Sequence, residues 1–326
     1  MSLAAPLEST SPPNPTTFLT GPSPSTCTPA LIDFSKTSLP EYKDCFAMLI
    51  QDLLTATECT ELLHLAQQTT TPEPNHWAPA EVNIGGGRQM MILDARNCGR
   101  IIWDDATIAE RLLDRIKPHL PARIVNLEGR DGAMVSGRQR VRRRMELEGT
   151  ATAADAAEKG ETWAMTRLNE RLRFLKYTRG MYFKEHCDGS YRTPDGSEVS
   201  YLTVHIYLNG DGVDRTAPIS SSEEKGGWSS WWKTRGDRKA DSEKPEKGGD
   251  SDGDSDGDKD PEKEPLVGGA TRFFSVNNLS KFLDVNPKTG SCLVFQHRHL
   301  LHSGEEVDAG VKYTMRTDVM YRKVED

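Results

Sequence analysis

The sequence predicts an α+β chain. Its C-terminal half reads as an all-β sandwich, jelly roll or barrel, and its N-terminal part as a helical layer in front of it. Two observations lead there. Five short blocks between residues 173 and 321 are dense in aromatic and β-branched residues and are separated by Gly, Asn and Asp turns. Two amphipathic segments, one with a helix-start signal and one with a helix-end signal, precede them.

Residues 1–29 are rich in Pro, Ser and Thr, carry almost no charge, and are expected to form a disordered arm. The mixed N-terminal part then runs over 30–167. Its apolar run 45–50 (CFAMLI) predicts a buried strand. Thr55 and Glu58 form a capping-box pattern, in which hydroxyl and carboxylate satisfy free N–H groups at a helix start. Cys59, Leu62, Leu63 and Ala66 follow at helical spacing. Gly85, Gly86 and Gly87 predict a turn or flexible loop; no Gly-Lys-Ser/Thr follows, so they do not make a phosphate loop. A second helix is expected over 105–116, with Ile108, Leu112 and Ile116 on one face and Lys117-Pro118 at its end. Residues 129–161 read as a polar insertion. Its cluster Arg138, Arg140, Arg142, Arg143 and Arg144 fits a solvated face balanced by Glu146 and Glu148, or a nuclear-import or phosphate-contact segment.

The region 168–326 changes period. Runs 173–178, 199–208, 270–276, 291–295 and 313–321 predict strands. They are interrupted at about 211–267 by a low-complexity acidic stretch too polar to bury. Within it Asp252, Asp254, Asp256 and Gly257 match the first half of an EF-hand loop, but the twelfth position is Lys263 rather than a bidentate Glu, so no such hand is expected.

Composition excludes several classes. The chain has 326 residues, of which 36% are apolar, so part of it is not expected to pack. Residues 237–264 hold 12 acids and 6 bases, a local net of −6 out of a total of −8. The remainder is close to neutral, which argues against a nucleic-acid binder driven by a basic surface. No apolar run approaches the roughly 18–20 residues needed to span a bilayer. The start, MSLAAPLEST, lacks a basic region followed by an apolar core, and the six cysteines show no CxxC or framework spacing. These features predict free thiols and a cytoplasmic location, with a nuclear one compatible.

The chemistry concentrates in two segments. In a strand, residues two apart share a face, so His186 and Asp188 can present an imidazole and a carboxylate to one point. One more imidazole would complete the two-histidine, one-carboxylate facial set of non-haem Fe(II) oxygenases, which leaves three adjacent positions open. The second segment offers His297, His299 and His302, followed by Gly304, Val307, Gly310 and Lys312. His297 and His299 share a strand face and compete with His302 for the third place. His205, inside a strand, reads as a satisfied structural histidine, and Cys187 faces away from its neighbours.

The tail from His302 through Gly310 to Lys312, ten residues on, resembles the end of the prolyl 4-hydroxylase-like catalytic domain of 2-oxoglutarate/Fe(II) dioxygenases. So do Tyr177, nine residues before His186, the block Tyr207-Leu208-Asn209, and Gly268 through Thr271 to Phe273. The resemblance covers about residues 168–322. It implies a double-stranded β-helix (a cupin-like jelly roll), with iron held by His186, Asp188 and His302. It also implies 2-oxoglutarate held by Lys312 with Tyr177, Tyr207 and Thr271, O₂ as the second co-substrate and ascorbate as a reductant. Arg316, four residues past Lys312 on the same strand face, is the alternative cation for 2-oxoglutarate or a contact for an acidic substrate. The implied reaction is oxidation of an unactivated C–H bond with release of succinate and CO₂. The substrate would be an amino acid, a small metabolite or a prolyl residue of a peptide, and Arg96, Arg100 and Arg192 are available to a carboxylate. The competing reading is a β-helix that serves only as a binding scaffold. Nothing in the sequence sets the oligomeric state.

Overall fold

The computed structural model describes residues 16–71, 76–85, 88–137, 161–213 and 260–324. The N-terminal part contains β1 (Thr28–Leu31), β2 (Ala47–Gln51) and α1 (Ala56–Gln68). There follow β3 (Ala78–Pro79), β4 (Val82–Gly85), β5 (Arg88–Met90), β6 (Arg96–Asn97) and β7 (Gly99–Asp104). Next come α2 (Ala106–Ile116), α3 (Ala122–Val125), β8 (Asn126–Leu127) and α4 (Gly129–Ser136). The C-terminal part runs through β9 (Trp163–Leu168), β10 (Arg171–Tyr177), β11 (Tyr182–His186) and β12 (Glu198–Tyr207). It ends with β13 (Val267–Gly268), β14 (Thr271–Phe274), β15 (Phe282–Val285), β16 (Cys292–Gln296), β17 (His302–Gly304), β18 (Val307–Ala309) and β19 (Lys312–Lys323).

The helices form where the sequence provides both a cap and an apolar stripe. At α1 the Thr55 hydroxyl accepts from Glu58 N–H (3.1 Å) and the Glu58 carboxylate accepts from Thr55 N–H (2.8 Å), closing the capping box. Asp105 caps α2 by accepting from Ile108 N–H at 2.9 Å. Leu62, Ile108, Leu112 and Ile116 are buried in one cluster with Phe174, Val204 and Met315 of the strands, so both helices pack on the same sheet.

That sheet has the order β1-β2-β16-β12-β19-β10-β7-β3, with β9 pairing the far half of β19 and β8 pairing β9. A second sheet has the order β15-β14-β17-β11-β6. The two face each other: Phe273 of the smaller sheet meets Phe295 of the larger edge-to-face at 5.5 Å, and Phe34, Tyr207 and Leu300 fill the space between them. Antiparallel sheets closed over a shared core make this the double-stranded β-helix, or jelly roll, that the sequence predicts. All five expected C-terminal strands form, as does the strand at 45–50.

Four expectations need correction. Residues 16–29 do not lie in a disordered arm: Phe18 and Leu19 are buried, Arg111 donates to the Phe18 carbonyl at 2.6 Å, and β1 adds a strand beside β2. The arm's average composition hides two apolar residues that α2 can bury. The polar insertion does not begin at 129, because α4 occupies its first turns. There Val135 is buried and Gly137 (φ 77°) ends the helix in the left-handed conformation a C-terminal glycine permits. The β region starts before 168, since β9 pairs with β19 and buries Trp163, Met165 and Leu168. Besides the helices that pack on the larger sheet, the N-terminal part supplies β1, β2, β3, β7 and β8 to that sheet and β6 to the smaller one. Finally, the end of the low-complexity stretch is folded. Glu262 binds Lys176 (3.0 Å) and accepts from the Tyr313 hydroxyl (2.7 Å), and Gly310 (φ 70°) approaches the backbone of Glu264 and Pro265 too closely for a side chain. Gly86, Gly87, the arginine cluster at 138–144 and the EF-hand-like run at 252–257 lie outside the described residues. No helix among the described residues is long and apolar enough to cross a membrane.

Candidate metal centre

The register of the smaller sheet brings the histidines together. β11 and β17 are antiparallel neighbours in which His186 pairs with His302, and the two rings stand 4.4 Å apart. Two residues past His186, Asp188 turns its carboxylate to the same point: Oδ1 lies 3.4 Å from His186 Nε2, and Oδ2 lies 3.7 Å from His302 Nε2. One ligand atom from each of the three falls within 4.8 Å of the others, the only such group of histidine, cysteine and acidic side chains among the described residues. His297 and His299 are not part of it. His297 is buried behind the site with its Nε2 3.4 Å from Asp318, and His299 sits with φ 70° in the turn before β17. Cys187 is exposed.

The imidazole tautomers follow from their partners. His186 Nδ1 is 2.7 Å from the Lys184 carbonyl and His302 Nδ1 is 3.0 Å from the Leu300 carbonyl. A carbonyl only accepts, so each Nδ1 carries the proton and each Nε2 turns a lone pair to the centre. Burial pushes His302 down to about 4, which keeps it neutral at pH 7. Burial would raise Asp188, but the charge of Arg316, 2.9 Å away, outweighs it and holds the carboxyl well below the usual range. Two neutral imidazoles and one carboxylate on one side of a point suit Fe(II) and similar six-coordinate ions, with a face left for other ligands. The residues present fit ferrous iron.

Two side chains hold Asp188: Thr203, which escaped the sequence reading, and Arg316, which was expected in another role. Thr203 Oγ1 donates to Asp188 Oδ2 at 2.5 Å, and Arg316 Nη1 lies 2.9 Å from Asp188 Oδ1. Arg316 is itself backed by Asp318 at 3.5 Å. Its expected role beside Lys312 as a co-substrate cation is therefore not the one its position favours, because its charge is engaged by two carboxylates. Thr203 could have been found from β12, where 203, 205 and 207 share the inward face with the motif residue Tyr207.

Of the expected co-substrate residues, Lys312, Tyr177 and Thr271 line the same pocket, and Tyr207 is fully buried beside Thr271. Lys312 is 2% exposed, donates to the Gly269 carbonyl at 2.5 Å, and lies 5.1 Å from the Tyr177 ring and 6.0 Å from the Tyr207 ring. No carboxylate stands within 4.0 Å of its ammonium among the described residues, and burial lowers it to about 8. The Tyr207 hydroxyl donates to Thr271 Oγ1 at 2.7 Å, joining the two sheets at this end of the pocket. A buried ammonium with hydroxyls beside it and no acid to pair with matches the remote carboxylate of 2-oxoglutarate.

Of the three arginines considered for a substrate carboxylate, Arg96 is in the pocket, its guanidinium 4.5 Å over the Phe183 ring. Arg100 pairs with Glu81 at 3.7 Å, and Arg192 donates to the Gly196 carbonyl in an exposed turn. His205 is not the satisfied structural histidine expected: it lines the pocket, and its Nε2 has no hydrogen-bond partner among the described residues.

No family model matches the chain, and no curated protein sequence does either. The solved structures that the fold matches include prolyl 4-hydroxylases and a 2-oxoglutarate–Fe(II) oxygenase, of the family whose motifs the sequence resembles. A Pseudomonas putida prolyl-4-hydroxylase is 12% identical, with a TM-score of 0.40 over 88% of this chain and 98% of that one. A Trichoplax adhaerens prolyl hydroxylase, in complex with a peptide fragment of the hypoxia inducible factor oxygen degradation domain, is 11% identical, with a TM-score of 0.42 over 87% and 88%. A non-heme alpha ketoglutarate dependent epimerase from nogalamycin biosynthesis is 11% identical, with a TM-score of 0.35 over 89% and 80%. At such identities and TM-scores these likenesses do not bear on this chain's substrate, which has to be read from its own side chains.

Proposed function

We propose that the chain is an Fe(II)/2-oxoglutarate-dependent oxygenase acting on a C–H bond of an amino acid, a small metabolite or a prolyl residue. The observation that carries this reading is the meeting, in one pocket, of the His186–Asp188–His302 group with the buried and acid-free ammonium of Lys312. Iron and 2-oxoglutarate, when bound, supply the oxidation of substrate by O₂ with release of succinate and CO₂.

The chain's own residues bind and orient. His186 and His302 would hold the metal through Nε2, their rings fixed by the Lys184 and Leu300 carbonyls. Asp188 would supply the third ligand, its free rotation removed by Thr203 and Arg316. Lys312, Tyr207 and Thr271 would take the remote carboxylate of 2-oxoglutarate, with Tyr177 beside them. Phe183, stacked on His186 at 3.7 Å, and Phe295, 4.8 Å from His302, wall the metal position with apolar surface that limits water access.

The test is succinate formation from 2-oxoglutarate by the purified chain with Fe(II), O₂ and ascorbate, with and without a cell extract as the substrate source. Formation that depends on iron supports the reading; no turnover and no 2-oxoglutarate binding would favour a scaffold. Against the scaffold stands the unfavourable burial of Lys312 without an acid, which a surface used only for docking does not require. Mass spectrometry of the extract then identifies the oxidised compound.

A further inference from the structure

We infer that His205 is a binding residue for 2-oxoglutarate, hydrogen-bonding the co-substrate between its metal-chelating end and its remote carboxylate; this rests on the function proposed above.

His205 Nε2 is shielded from solvent and has no hydrogen-bond partner among the described residues. An unpaired buried polar nitrogen costs roughly 1–3 kcal/mol, and folded proteins keep few of them. A leucine of similar volume would avoid the cost if this position only filled space. The nitrogen belongs to a side chain that lines the pocket holding His302, Lys312 and Arg316, so a ligand in that pocket would satisfy it.

The strand geometry states which part of a ligand it meets. Thr203, His205 and Tyr207 follow one another on the inward face of β12. Thr203 belongs to the metal end, because it holds Asp188 at 2.5 Å. Tyr207 belongs to the remote end, because it holds Thr271 at 2.7 Å and its ring lies 6.0 Å from the Lys312 ammonium. His205 stands midway, with its ring 4.9 Å from that of Tyr207. Across the sheet it is in register with Arg316. A 2-oxo dicarboxylate that chelates a metal held by Asp188 and the two histidines and is anchored at Lys312 would have to pass it.

The chemistry of the neighbourhood fits an oxygen there. Burial, followed by the charges of Lys312 and Arg316, holds His205 well below its ordinary range, so the ring is neutral and has one N–H to donate. The cations around it favour an anionic ligand, whose oxygens accept.

The experiment uses His205→Leu and His205→Gln in the full chain. Three quantities are measured: the thermal midpoint, Mn(II) affinity from the electron paramagnetic resonance of free Mn(II), and 2-oxoglutarate affinity by calorimetry on the Mn(II)-loaded protein. His205→Leu is expected to weaken 2-oxoglutarate binding about 10- to 100-fold, the range of a hydrogen bond to a charged group. It should leave Mn(II) binding and folding intact, while His205→Gln, which keeps a donor, stays within about threefold of the wild type. Unchanged 2-oxoglutarate affinity in His205→Leu overturns the assignment, as does a loss in His205→Gln as large as that in His205→Leu, or an equal loss of Mn(II) affinity. Wild-type protein that binds Mn(II) but no 2-oxoglutarate overturns the oxygenase reading itself, a result separate from the other three.

Discussion

Replacing Lys312 by Met should uncouple stability from co-substrate binding and move them in opposite directions. The ammonium is 2% exposed and bonded only to the Gly269 carbonyl, and its pKa falls from 10.5 to about 8. At about 1.4 kcal/mol per pKa unit, holding the charge in this pocket at pH 7 costs roughly 3 kcal/mol. Methionine has nearly the same shape and removes that cost, while leaving the Gly269 carbonyl unpaired at about 1 kcal/mol. The co-substrate-free variant should therefore be more stable than the wild type by about 2 kcal/mol, seen as a higher midpoint in urea at pH 7. Its 2-oxoglutarate affinity should collapse, because removing one partner of a buried charged pair costs roughly 3–5 kcal/mol. That corresponds to about two to three orders of magnitude in Kd, measured by anaerobic titration of the Fe(II)-loaded protein. Two results would refute the reasoning: a Met variant that binds 2-oxoglutarate normally, or one that unfolds more easily than the wild type. The first would pass the co-substrate role to Arg316; the second would mean that the ammonium is a structural anchor for the Gly269 turn.

His186→Ala, Asp188→Ala and His302→Ala should each reduce Mn(II) or Fe(II) affinity by at least about 100-fold and abolish succinate release, whereas His299→Ala, outside the ligand group, should keep both. Because Lys312 is depressed to about 8, the folded chain loses its proton before the unfolded chain does as the pH rises. The stability advantage of Lys312→Met should accordingly shrink from pH 8 to 10.5, and wild-type 2-oxoglutarate affinity should fall above pH 8. A Lys312→Arg variant should show a flat affinity over the same range, since its guanidinium does not titrate there. In α1, Thr55→Ala should cost about 1 kcal/mol of unfolding free energy as a lost cap. Glu58→Ala should cost more, about 2–3 kcal/mol, because it also removes the 2.7 Å partner of the buried Arg115; equal costs would show the ion pair contributes nothing.

The sequence by itself determined the elements whose signals are local. The aromatic and β-branched run at 199–208, the Thr55–Glu58 box and the apolar stripe Ile108, Leu112 and Ile116 depend on residues within a few positions of one another, and each forms as its pattern requires. The three side chains of the candidate metal centre were legible for a related reason. His186 and Asp188 sit at strand spacing, and the tail from His302 to Lys312 resembles that of the prolyl 4-hydroxylase-like oxygenases. Tertiary structure alone decided what depends on partners far apart in sequence. Phe18 and Leu19 are buried because α2, about 90 residues on, offers them a face and an arginine, which no window of Pro, Ser and Thr reveals. The divided roles of Lys312 and Arg316 follow the same rule. Both face inward from one strand with the same charge, yet Arg316 meets Asp188 and Asp318, while Lys312 meets only a carbonyl and two tyrosine rings. A cation's function follows from whether an acid already neutralises it, and that is fixed by which strands the sheet sets side by side.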